Sequence, residues 1–200
     1  MLKKKWLIGI AILIIAVLAF TGCSGKKDSG GDIPLNRDGV PVSIGRADPA
    51  TDFNYRLNED GDGVIITRYT GSNGNVVIPG EIDGYPVVEL GRRAFYGELS
   101  DGTVGPGIFI NSVVIPASVK KIGNECFLRI RELNSVTILG RGVEIGRAVF
   151  SNNRNLTELN LLDGEDVLIP SEIPNNAFNA CRSLPLPVRS KLVSWGFNEP

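Results

Sequence analysis

Asn58, Asp60, Asp62, Gly63 and Ile65 stand at the offsets of a calcium-binding loop, a spacing that suggests a metal. Such a loop needs a bidentate carboxylate at its twelfth position, and that position is Tyr69. The segment also leads into an expected strand instead of joining two helices, so a plain turn is expected and no metal site. The chain has no histidine, which removes His-based triads, imidazole general bases and most catalytic zinc sites. Asp and Glu are scattered, mostly in expected turns, with no pair that the spacing places on one face. Gly71, Gly74 and Gly80 are spaced as turn glycines, without a following helix to hold a phosphate. No enzyme and no cofactor are expected.

The polar residues sit in a chain that repeats itself. Ile110 to Glu132 (INSVVIPASVKKIGNECFLRIRE) is followed in register by Leu133 to Asn155 (LNSVTILGRGVEIGRAVFSNNRN), a period of 23 residues, and then by LTELNLL. Val113 falls on Val136 and Leu159, Ile115 on Ile138 and Leu161, Gly123 on Gly146, and Phe127 on Phe150. Degenerate copies flank this pair: one upstream carries Val76, Ile78, Leu90, Gly91 and Phe95, and one downstream carries Ile169, Phe178 and Leu184. Phe178 arrives 28 residues after Phe150, and the excess fits a loop at Asp163 to Asp166. A unit this small buries its apolar face only by stacking on its neighbours, so about four units form a solenoid that needs capped ends.

Within one unit, Ser112 to Ile115 alternates outward and inward residues, as a short strand does. Pro116 stops it, because proline cannot donate to a ladder. Val119 to Ile122 forms a second extended piece, Gly123 permits a sharp turn, and Asn124 caps a short helical turn that carries Cys126 and Phe127 inward. Phe95, Phe127, Phe150 and Phe178 then form an internal column. Cys126 fills a slot that is Ala94, Val149 or Ala177 elsewhere, and Cys181 plays a similar part; their non-equivalent positions argue against a disulfide. Solvent-facing strand positions vary without disturbing the core, and here they are Val77, Ser112, Val114, Ser135, Thr137, Glu158 and Asn160. They are the candidate partner-binding residues.

The two ends of the chain are different in kind. Lys3, Lys4 and Lys5 precede the apolar run Trp6 to Phe20, which at 15 residues is shorter than a spanning helix and reads as a signal peptide. The run closes with Phe20, Thr21, Gly22 and Cys23, which resembles the bacterial lipoprotein cleavage box, although Phe20 departs from the usual leucine. The resemblance implies cleavage after residue 22 and lipidation of Cys23. Without the leader the charge is −4, from 18 basic and 22 acidic residues, so no nucleic-acid partner is expected. Residues 23–50, rich in Gly, Pro, Asp and Lys, read as a lipidated flexible tether. Residues 51–75 form a capping hairpin, with Phe53 to Asn58 and Val64 to Tyr69 joined across Glu59 to Gly63. The solenoid occupies 76–186, and 187–200 form a C-terminal cap in which Leu192 and Trp195 sit at helical spacing.

VVIPGEIDGYPVVELGRRAF and SVVIPASVKKIGNECF resemble the BspA-type leucine-rich repeats, the leucine-rich repeat 5 class of bacterial surface proteins. The resemblance covers about Gly63 to Leu184, and Tyr69, Thr70 and Gly71 match the family's usual entry before its first strand. Leu139 stands where the pattern has proline and Pro174 where it has glycine, so irregular third and fourth turns are expected. The family implies a β-rich solenoid of short parallel strands and short helical turns, with a short C-terminal helix as cap. It also implies a lipid-anchored envelope protein, held to the membrane by its N-terminal lipid, that binds host matrix or another cell-surface protein. Ser24 after the modified cysteine favours the outer membrane or cell surface over the inner membrane. The alternative is a structural envelope component, or an accessory subunit, that packs on its own kind or on cell-wall glycan.

Overall fold

A computed structural model of the chain describes residues 44–161, 168–172 and 175–200. The leader, Cys23, most of the tether, the loop at Asp163 to Asp166 and Pro174 lie outside the described residues.

Each turn of the solenoid contributes one strand to each of two parallel ladders. The first ladder has four strands: β3 (Asn75–Val77), β6 (Ser112–Ile115), β8 (Ser135–Ile138) and β10 (Glu158–Leu161), in the spatial order β10-β8-β6-β3. Its inward row is Val76, Val113, Val136 and Leu159, all buried and in strict register. The second ladder runs β2 (Val64–Tyr69), β5 (Tyr85–Leu90), β7 (Lys121–Ile122), β9 (Val143–Ile145) and β11 (Leu168–Pro170). The strand β1 (Phe53–Leu57) closes one edge antiparallel to β2, the expected hairpin, and β4 (Glu81–Ile82) pairs with β5.

The third side of each coil is a run of consecutive turns, and it too is laddered. Arg93, Phe95 and Gly97 donate their backbone N–H groups to the carbonyls of Asn124, Cys126 and Leu128 on the next coil. Glu125, Phe127 and Arg129 donate likewise to Arg147, Val149 and Ser151. The non-glycine residues flanking each phenylalanine at alternate places, Arg93, Glu125 and Ala148 before it and Arg129, Asn152 and Ala180 after it, take left-handed backbone angles with φ between 52° and 62°, or 64° at Asn152. Asn124 does not cap its own turn, because its Oδ1 accepts from Arg147 N on the following coil at 2.8 Å. The role of Gly123 is also different from conformational freedom. A Cβ there would lie 2.9 Å from Arg92 N and 3.0 Å from Leu90 O, so the coil spacing itself excludes a side chain.

Irregularity at Leu139 is small. Having an N–H where its counterparts have proline, it adds a bond to Ile115 O at 3.0 Å. Beside Pro174 the fully buried Asn175 takes over: its Nδ2 donates to Ile145 O at 3.1 Å and its Oδ1 accepts from Ala177 N at 2.8 Å.

The phenylalanine column is longer than the repeat implies. Tyr69, Phe95, Phe127, Phe150 and Phe178 stack with centroids 5.6, 4.8, 5.3 and 5.2 Å apart and planes within 22°. Those separations follow from the roughly 4.8 Å spacing of adjacent strands. Phe53 lies against Tyr69 at one end, and Phe197 meets Phe178 edge-on at the other, 5.2 Å away. The helix α1 (Leu186–Ser194) begins with proline at its first turn and buries Leu192. Trp195, expected in the plug, is only half-buried, with Lys191 Nζ 4.7 Å from its ring centre; Phe197 takes the place on the column instead.

Candidate functional site

Alternation in four in-register strands sends every second side chain to the outside of the smaller ladder. The sequence-derived candidates accordingly come together as two parallel rows. One is Val77, Val114, Thr137 and Asn160, and the other Ser112, Ser135 and Glu158, which Asn75 completes. Asn75 was missed, although it stands two residues before Val77; it accepts from Ser112 Oγ through Oδ1 at 2.9 Å.

Thr137 corrects the expectation of seven exposed positions. It is only 6% exposed, because it lies on an interior strand between Val114 and Asn160, and Asn160 Nδ2 leans onto its Oγ1 at 3.4 Å. Val77, Ser112, Val114 and Ser135 are half-buried, and Glu158 and Asn160 are exposed. The surface thus runs from valines to a carboxamide and a carboxylate across a rigid sheet.

The β3 edge of this sheet is covered. Asp48 donates its N–H to Val77 O at 2.8 Å, its Oδ2 accepts from Val77 N at 2.7 Å, and its Oδ1 accepts from Asn73 Nδ2 at 2.9 Å. The last residues assigned to the tether are therefore laid along the sheet, a placement with no signal in the sequence because backbone groups and one carboxylate make it. At the other edge stands β10.

The remaining chemical groups are used structurally. Asn58 Oδ1 accepts from the N–H groups of Asp62 and Gly63 at 3.1 Å, and Gly61 takes φ 73°, which makes the calcium-like segment a side-chain-closed hairpin turn. Among the described residues, no group of three or more Cys, Asp or Glu side chains is placed to hold a metal. Glu89 and Glu144 do share one outer row of the larger ladder, contrary to the expectation of unpaired acids, but Lys121 stands in register between them. Lys121 Nζ is 3.9 Å from Glu89. Burial pushes the Cys126 thiol far up, and Cys181 up to about 12, so neither is a nucleophile. Both are free, and Cys181 Sγ donates to Phe150 O at 3.0 Å.

A stack of short-stranded coils with an aromatic column and capped ends defines a leucine-rich-repeat solenoid. The model for the BspA type leucine rich repeat region, in 6 copies, matches residues 107–187. A leucine rich cell surface protein from Faecalibacterium prausnitzii is 28% identical, with a TM-score of 0.53, over 70% of this chain and 36% of that one. A leucine rich repeat protein of T. pallidum is 25% identical over 76% of this chain and 97% of that one, with a TM-score of 0.28. One from Bacteroides capillosus is 19% identical over 76% and 91%, with a TM-score of 0.45. The chain therefore spans about a third of the length of the first of these. No curated protein matches the chain.

Proposed function

We infer that this is a bacterial cell-surface protein, lipid-anchored through Cys23, whose smaller ladder binds a protein partner in adhesion. The observation that carries the reading is the pair of in-register outward rows, half-buried valines passing into hydrogen-bonding side chains on one rigid sheet. A partner strand or loop can bury the valines and bond to Ser135, Glu158 and Asn160, giving a modest interface that gains strength from many tethered copies. The similarity to a leucine rich cell surface protein supports the location. The order of basic, apolar and cysteine segments supports the anchor.

The test is attachment of intact cells to matrix proteins and to neighbouring cells. Val114→Glu with Asn160→Lys is expected to abolish attachment while thermal unfolding stays nearly unchanged, since both side chains lie on the outer rows. Normal attachment by the folded double variant sinks the assignment of this face. Cys23→Ser should leave an unprocessed precursor without lipid and remove surface display, which protease added to intact cells reads directly.

A further inference from the structure

Charge is sorted among the sides of the solenoid. The outer row of the larger ladder alternates Glu89, Lys121 and Glu144, and the outward rows of the smaller ladder carry Glu158 as their charged residue. A row of arginines stands on the turn side instead. Arg131, Arg154 and Arg182 stand four residues after Phe127, Phe150 and Phe178, one on each successive coil, and Arg129 sits at a left-handed position beside them.

The residues inserted between the first and second coils overhang this side. Glu98 bridges to Val104, and Leu99 N–H bonds to Thr103 O at 2.9 Å, so the insert is a closed loop. Between it and the coils lies a groove of about 630 Å³, lined on the coil side by Arg129, Arg131, Glu132, Asn152, Arg154 and Asn155. Arg131 is neutralised by Glu98 at 2.5 Å. Arg129 and Arg154 have no ion-pair partner among the described residues.

We propose that this groove binds an anionic polysaccharide, with Arg129 and Arg154 on its sulfate or carboxylate groups and Asn152, Asn155 and Glu132 on its ring hydroxyls. A guanidinium takes either anion through two parallel N–H bonds, and two such forks one coil apart match a ligand that carries charge repeatedly along its length. The company they keep selects the class. Glu132 accepts hydrogen bonds and repels anions, so it fits a ligand that presents hydroxyl donors next to each anion, as a sugar ring does and an acidic side chain does not. Single-stranded nucleic acid asks for aromatic stacking platforms, and no aromatic side chain lines the groove. The site lies on the turn side, away from the rows of the smaller ladder, so it stands or falls independently of the protein-binding face.

The test is binding of the full-length protein in detergent to immobilised heparin, polygalacturonate and polyglutamate. Retention on heparin or on polygalacturonate is expected, and the preferred one tells sulfated from uronic sources. Arg129→Ser with Arg154→Ser should weaken it by about tenfold for each arginine, the loss of one charge-assisted contact apiece. The charge-matched Lys120→Ser with Lys121→Ser, on the larger ladder's side, should change it by less than about threefold, the effect of a distant screened charge. Glu132→Ala should weaken binding as well. Circular dichroism that is the same for all variants makes these comparisons valid readings of the groove. No binding to either polysaccharide, equal loss in the lysine control, polyglutamate bound as tightly as either glycan, or tighter binding by the Glu132 variant would each overturn the assignment.

Discussion

Phe150 lies between Phe127 and Phe178, its ring nearly parallel to the first, and is fully buried. Its removal leaves a gap in the middle of the column where neither neighbour can easily slide, since Phe127 is fixed by its N–H bond to Val149 O and Phe178 is met edge-on by Phe197 on its far side. Phe150→Ala is expected to cost about 3–5 kcal/mol in chemical denaturation, the range for an aromatic deleted from a packed core. A loss under about 1 kcal/mol would mean that the rings do not carry the stack. The four phenylalanines were legible because each recurs at a fixed offset within its unit. Tyr69, Phe53 and Phe197 were not read as members of the column, because they belong to ends that have no repeat to mark them. Thr137 was misjudged for a related reason: alternation gives the side of a strand but not the size of its neighbours across the ladder.

Among the elements, the edge of β3 shows how the sheet is protected. A parallel edge strand offers free N–H and C=O groups to any extended chain, and natural proteins cover or interrupt such edges. Here Asp48 covers both groups of Val77 while holding Asn73. Asp48→Ala removes the two carboxylate bonds and leaves the backbone bond, so a loss of roughly 1–2 kcal/mol is expected from a partly exposed charged acceptor. Hydrogen exchange at the Val77 amide should quicken by about tenfold or more, the kinetic face of the same difference; an unchanged rate would show that the carboxylate does not hold the edge. The hairpin bounds and the strand register were readable from composition and spacing. The turn ladder was not, since a segment such as Asn124 to Arg129 places its bonds on the next coil and leaves no periodic signature of its own.

For the whole molecule, one continuous interior links the titrating groups to global stability. Tyr69 is raised to about 12 chiefly by burial, Cys181 likewise to about 12, and Cys126 further still. All three are neutral when protonated, and their folded pKa values lie above the unfolded ones. Their contribution is therefore complete below about pH 8.5, where unfolded thiols begin to ionise, and is lost progressively as pH rises through about 10 and the folded values. Denaturation midpoints should fall steadily above about pH 9, and a thiol reagent at pH 8 should label Cys126 and Cys181 only at the rate of global unfolding. Rapid labelling of native protein would show coils that open singly. The same regularity bears on ancestry. Because Ser112 and Glu158 each pair with Ser135 in one register, excising residues 133–155 would bring β10 beside β6 with every partner restored, whereas losing any fraction of a coil would orphan all three sides at once. Such a gene can gain or shed length only by unequal crossing-over in whole coils, so its relatives should differ in height and keep one cross-section.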